Sequence, residues 1–243
     1  MGLRVTTHRF RKKEICMSPI DNKIVIIGGD HHNTLAVVRD LGKHKCDIII
    51  VLHVGKISLK NTKVAYSKYA KNRTVTVENS ENAILEWLKE YKYEGNSRAI
   101  LFPCSDLAAY TIDKHFCELN EKYIGPGFVN SPGKVAQLMD KFEQKKFADK
   151  HNICMAHTWE MSTDVKCNDT QIVKFPCIVK PIVSAFGNKG DITICNNEQD
   201  LIASFEKFHR FGFERVLVQE FILKQYEVCS YGCITNQVVG DYR

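Results

Sequence analysis

The chain has 243 residues, 44% of them hydrophobic, enough for one large domain or two small ones with a real core, which excludes a disordered chain. Lysine and arginine number 34 against 28 aspartates and glutamates, but this basic surplus is scattered and specifies no nucleic acid as partner. No stretch approaches the roughly 20 consecutive apolar residues of a membrane-spanning helix, so the expectation is a cytoplasmic chain with no membrane partner.

Residues 1–21 form a basic leader, with Arg4, Arg9, Arg11, Lys12 and Lys13 and no apolar run of the kind that marks a signal peptide. The leader is expected to be poorly ordered. The ten cysteines would suggest a disulfide framework only in a small secreted chain, so reduced thiols are expected. Most sit among apolar neighbours, as Cys104 and Cys177 do, where cysteine behaves as a small hydrophobe. Cys229 and Cys233 have no histidine near them in sequence to complete a zinc set.

From residue 23 a continuous apolar run ends in Gly28-Gly29-Asp30 and reads as a buried parallel strand turning sharply at its carboxyl end. A helix follows, with Asn33 or Thr34 as its cap, Leu35, Val38 and Leu41 on one face and Gly42 as its stop. Residues 47–54 give a second buried strand, 73–77 a short third, 81–91 a helix and 98–103 a further strand that leads into Cys104-Ser105-Asp106. Strands alternating with helices predict a parallel sheet covered on both faces, with ligands at the carboxyl ends of the strands. Gly29, Asp30, Asn33, Ser105 and Asp106 are therefore the candidate substrate-binding residues. Asp30 and Asp106 have two readings, an amine ligand or a helix cap.

The pattern changes near residue 127. Ser131-Pro132-Gly133 predicts a helix start with serine as N-cap and proline at the first position, and Val135, Leu138, Met139 and Phe142 keep helical spacing. Residues 178–180, 191–195 and 216–221 read as strands, with an amphipathic helix over 198–208. A glycine-bearing loop links the first two of these strands.

Gly28-Gly29 tempts a dinucleotide reading, but the fingerprint G-x-G-x-x-G lacks its third glycine here. A turn needing positive φ, a small-ligand loop and a nicotinamide site all stay open at this point. His31 and His32, adjacent and without carboxylates, are expected to diverge as ordinary surface residues. The second half carries more. Lys180 ends an apolar strand, so its compact charge either meets a phosphate oxygen or lies at the surface. Lys141 is either a second phosphate ligand or a solvated helix lysine among Lys145, Lys146 and Lys150. The loop holding Ser184, Gly187, Lys189 and Gly190 has backbone N–H groups free to face an anion, or is a plain connection between strands.

The order Asp140-Lys141, Lys180-Pro181, the loop at 184–190, Gln219-Glu220-Phe221-Ile222 and Glu227 resembles the ATP-grasp superfamily over residues 22–243. Carbamoyl-phosphate-synthase-like and amino-acid ligase members are the nearest in character. The resemblance implies an α/β chain: a Rossmann-like parallel sheet, the pre-ATP-grasp domain, over 22–127, then a partial ATP-grasp domain with its lid over 128–243. It implies that Lys141 and Lys180 approach the nucleotide phosphates and that Ser184, Gly187, Lys189 and Gly190 belong to the flap over ATP. Main-chain groups of Glu220 and Ile222, with Phe221 between them, would pair with adenine. Gln219 stands where the family usually has glutamate and still offers an acceptor to the adenine amino group. Glu227 would accept the ribose hydroxyls.

The implied reaction activates a carboxylate as its acylphosphate and passes it to an amine, with ATP and Mg2+. Family members place their metal-binding acids well after the ribose carboxylate, whereas this chain stops 16 residues beyond Glu227 with Asp241 standing alone. No metal site is therefore expected in this span, and a homodimer or a missing carboxyl-terminal half is expected to supply the rest. Two alternatives remain: a non-catalytic nucleotide-binding or interaction module, and a nicotinamide-dependent oxidoreductase resting on Gly28 and Gly29.

Overall fold

A computed structural model describes residues 20–95, 97–125, 131–165, 170–183, 192–226 and 228, and the backbone of 231–234 and 238–242. Its contacts cluster into two units that divide between Gly133 and Lys134.

The first unit is built on a parallel sheet of five strands: β1 (Ile24–Gly28), β2 (Ile48–His53), β3 (Thr74–Val77), β4 (Ala99–Pro103) and β5 (Tyr123–Ile124). Their order in the sheet is β3-β2-β1-β4-β5, and every pairing is parallel. The chain thus lays β2 and β3 on one side of β1 and then crosses to β4 on the other. That reversal makes the β1–β4 junction the switch point, where open α/β sheets bind ligands. Val25, Ile27 and Val51 pack into one core with α2 (Glu81–Glu90), α3 (Asp106–Lys114) and α4 (Phe116–Leu119), while Ile24, Ile26, Ile50 and Leu52 pack into another with α1 (His32–Lys43). Both faces are apolar because both are covered, which is why these strands read as continuous hydrophobic runs.

Local chemistry moved some boundaries. Helix α1 begins one residue before Asn33, after an extended His31 that gives no side-chain cap, and Thr34 is buried inside it. Gly42 does not stop α1: it lies within the helix, facing Tyr69. The rings of His31 and His32 do not diverge but meet at 3.7 Å between centroids. Ser80 and Ser105 each accept the N–H three residues on, capping α2 and α3.

The second unit carries α5 (Lys134–Leu138), α6 (Lys141–Lys150), α7 (Glu198–Arg210) and an antiparallel sheet in the order β6-β9-β7-β8. These strands are β6 (Thr158–Ser162), β7 (Cys177–Lys180), β8 (Thr193–Cys195) and β9 (Arg215–Glu220). Strands β10 (Tyr231–Ile234) and β11 (Val238–Tyr242) form a separate antiparallel pair. One face of the four-stranded sheet buries Cys177, Val179, Val216 and Val218 against Leu201, Phe205 and Phe208 of α7. Each of those fully buried phenylalanines stabilises the unit by about 2–3 kcal/mol of transfer free energy.

Ser131 is not the cap of a helix, because Gly133 takes a φ of 83° and the helix starts only after it. Nor does one helix run through Val135 to Phe142. Asp140 interrupts it with an extended backbone and accepts the N–H groups of Phe142 and Glu143, opening α6 as a new helix. Strand β6, which the sequence reading omitted, pairs along its whole length with β9. Cys46, Cys104, Cys117, Cys154, Cys177 and Cys195 are free thiols. Among the described residues no helix is long and apolar enough to cross a membrane.

Candidate functional site

Pairing across the antiparallel sheet decides which side chains share a face. Thr158, Gln219, Ile178 and Ile194 lie in one row across β6, β9, β7 and β8, and Glu160, Leu217 and Lys180 lie in the next. Paired residues project to the same side, so this face is opposite the α7 core. It carries a polar chain. The Lys180 ammonium donates to Gln219 Oε1 at 2.7 Å, Gln219 Nε2 donates to Thr158 Oγ1 at 2.8 Å, and Thr158 donates onward to the Ala156 carbonyl at 2.8 Å. Both ends of the Gln219 amide are thereby fixed. Burial holds the Lys180 ammonium below the usual lysine range because desolvation penalises the charged form.

Beside this chain Ile178 is half-buried and Ile194 exposed, so the face joins an aliphatic floor to an oriented amide and a cation. Neighbouring strands lie about 4.8 Å apart, so the floor from Gln219 to Ile194 is roughly 10 Å wide, the scale of a purine.

The other sequence candidates of this unit divide. Glu220 ends β9, with its N–H donating to the His157 carbonyl at 2.8 Å, and Phe221 continues the ladder by donating to Pro176 O at 3.1 Å. Ile222 lies beyond the ladder and is exposed. Lys141 donates from Nζ to the carbonyls of Pro181 and Ile182 at 2.8 and 3.2 Å, tying the start of α6 to the segment that leaves β7. The structure thus gives Lys141 a tether to the two residues that follow Lys180, which neither of its sequence readings, phosphate ligand or solvated helix lysine, included. Ser184, Gly187, Lys189, Gly190 and Glu227 lie outside the described residues. Thr158, which completes the polar chain, was not singled out from sequence: it belongs to the strand that was missed.

In the first unit the switch point gathers Gly29, Ser105 and His53. His53 ends β2 and is 9% exposed. Its Nδ1 lies 2.7 Å from Asn79 Oδ1 and its Nε2 lies 2.7 Å from Ser105 Oγ. Burial lowers the His53 pKa, against a smaller opposing effect of the Asn79 hydrogen bond, so the imidazole is neutral at neutral pH. Asp30 is not a helix cap, because His31 holds the N-cap position of α1. Its carboxylate accepts the N–H groups of Lys63 and Val64 at 2.9 and 2.8 Å, holding a distant loop rather than its own helix. Asn33 is exposed on the first turn of α1, and Asp106 is exposed at the start of α3, where its charge suits the helix dipole. Among the described residues no group of three or more His, Cys, Asp or Glu is placed to hold a metal ion.

No family model and no curated protein matches the chain. Solved structures do. The L-amino acid ligase from Bacillus licheniformis superposes with a TM-score of 0.56 at 12% identity, over 83% of this chain and 44% of that one. The ADP complex of an N5-carboxyaminoimidazole ribonucleotide synthetase gives 0.55 at 13% identity, over 84% and 48%. The D-alanine–D-alanine ligase from Bacillus anthracis gives 0.51 at 17% identity, over 83% and 57%. The fold is that of the ATP-grasp ligases. At these identities the likeness is one of backbone, and the chain spans about half the length of the structures it matches. The ATP-grasp fold accounts for the sequence of elements: a parallel sheet leads, and an antiparallel sheet backed by a helix follows.

Proposed function

We propose that this chain is the nucleotide-binding portion of an ATP-dependent carboxylate–amine ligase. The observation that carries this reading is the Lys180–Gln219 contact on the open face of the antiparallel sheet. A purine laid on Ile178 and Ile194 would present its edge to the strand end at Glu220–Ile222, and an anionic phosphate beside Lys180 would stabilise the charge that burial disfavours. Lys180 then does two things: it binds a phosphate oxygen, and it turns the Gln219 amide by holding its oxygen.

The finer reaction is also part of the proposal. A carboxylate would take the γ-phosphoryl group of ATP, and an amine would displace phosphate from the acylphosphate, as in amino-acid or carbamoyl-phosphate-type ligases. Gly29, Asn33, Ser105 and Asp106, around the switch point of the parallel sheet, are the residues proposed to meet the small carboxylate or amine. A cytoplasmic setting and a homodimer or carboxyl-terminal partner region complete the reading. Mg2+ would accompany ATP in the complete enzyme, but the described residues offer no acidic set for it, so no step is assigned to a metal here.

Thermal-shift measurements with ATP and with NAD test the reading. ATP is expected to stabilise the protein, by about 2.7 kcal/mol at a hundredfold excess over its Kd, and Lys180→Ala is expected to abolish that gain. Stabilisation by NAD alone, unchanged in Lys180→Ala, would overturn it.

A further inference from the structure

We propose that Ser105 is a nucleophile able to accept an acyl group from small carboxylic esters, with His53 as its base and Asn79 as the residue that positions the base. This site stands on residues of the first unit alone and shares Ser105 with the substrate region of the proposed ligase, but it needs no nucleotide.

Three segments far apart in sequence bring the group together at the carboxyl edge of the parallel sheet. His53 ends β2, Asn79 follows β3 and Ser105 follows β4. The two hydrogen bonds, Ser105 Oγ to His53 Nε2 and His53 Nδ1 to Asn79 Oδ1, are both 2.7 Å. Their chemistry fixes the proton. An amide oxygen can only accept, so Nδ1 must carry the hydrogen, and the Nε2 lone pair faces the serine hydroxyl. That is the tautomer a general base needs, and the order nucleophile, base, orienting group is the one that activates a hydroxyl. The imidazole is nine-tenths buried and Ser105 half-buried, so the base is held in place and the serine residue keeps some contact with solvent.

Ser105 is also the N-cap of the nine-residue helix α3, where its Oγ accepts the Ala108 N–H at 3.2 Å. One lone pair is thus occupied and the second remains for attack. A helix N-terminus stabilises negative charge on that oxygen, and the first-turn N–H groups of Asp106 and Leu107 have no intrahelical carbonyl to bond. They are the donors available to an oxyanion.

In the reaction Oγ bonds to the ester carbonyl carbon as its proton moves to Nε2. The carbon–oxygen bond to the alcohol then breaks, and the alcohol leaves with the proton from Nε2. Water repeats the sequence on the acyl-serine, releasing the carboxylic acid and restoring Ser105 and neutral His53. No metal, oxidant or nucleotide is consumed.

The test is labelling of the full chain with a fluorophosphonate probe, with the modified residue located by peptide mass spectrometry. A single adduct on Ser105 is expected, absent in Ser105→Ala. His53→Gln keeps a polar side chain of similar size but no base, and is expected to label at least about 100-fold more slowly. Asn79→Ala, which leaves the base in place but unoriented, is expected to label at least about tenfold more slowly. Circular dichroism on each variant establishes that it is folded. No adduct on Ser105 in the folded wild-type chain would overturn the proposal. So would a wild-type rate in folded His53→Gln, or in Asn79→Ala if the histidine variant does not fold.

Discussion

The Lys180 ammonium and the Gln219 side-chain oxygen, 39 residues apart in sequence, meet at 2.7 Å on the sheet face opposite α7. A half-buried lysine whose partner is a neutral amide carries an unrecovered desolvation cost. Lys180→Met keeps most of the stem and removes the charge. The ligand-free protein is expected to be as stable as the wild type or up to about 1 kcal/mol more stable, by urea denaturation. The same variant is expected to lose the thermal shift that ATP gives. A loss of stability with the ATP shift retained would assign Lys180 to the scaffold.

The sheet that carries Lys180 and Gln219 was legible in sequence because both flank apolar runs, Cys177 to Val179 and Val216 to Val218, that alternate with the α7 pattern. Their contact was not. Register across β7 and β9 is set by pairing between segments far apart, and no local pattern encodes it. Thr158 was missed for the same reason: Thr-Trp-Glu-Met-Ser is a short strand whose identity comes from its partner β9. Four strands of the parallel sheet were read almost to the residue, since strands buried on both faces leave unbroken runs such as Ile24 to Ile27, whereas the two-residue β5 leaves no such run. His53 lay inside such a run, and only the fold brings Asn79 and Ser105 to its ring.

His53 makes stability depend on pH. Its folded pKa lies below 6.5, the value of an unperturbed histidine, because burial penalises the cation. Between the folded value and 6.5 the unfolded chain binds more protons, so stability falls as pH drops through that window and the full contribution is present above it. Urea denaturation at pH 7.5 and at successively lower pH should show this decline, and His53→Gln should flatten it. An equal slope in the variant would place the titration elsewhere.

Asp30 separates a structural role from a substrate one. Both carboxylate oxygens accept backbone N–H groups from Lys63 and Val64. Asp30→Ala leaves those donors without their acceptor, and hydrogen bonds to a charged group contribute roughly 1.5–3 kcal/mol. A stability loss of about 1–3 kcal/mol in urea denaturation is expected, with the ATP-induced thermal shift unchanged. Retained stability would return Asp30 to the candidate substrate residues.

Gly42 sits in the last turn of α1, where a glycine ordinarily costs helix stability relative to alanine by about 1 kcal/mol. Here packing reverses that preference. A Cβ at residue 42 would lie 2.5 Å from both Cβ and Cγ of Tyr69. Those atoms are the root of the tyrosine side chain rather than its movable end, and the Lys68 ammonium lies 4.9 Å from the ring centroid. The aromatic cannot swing aside without moving the backbone at residue 69. Overpacking of this kind costs about 1–3 kcal/mol, which outweighs the propensity gain. Gly42→Ala is therefore expected to destabilise the protein by about 1 kcal/mol, and pairing it with Tyr69→Ala should restore the ordinary helix preference. If Gly42→Ala alone raises the urea midpoint, the contact with Tyr69 does not constrain α1.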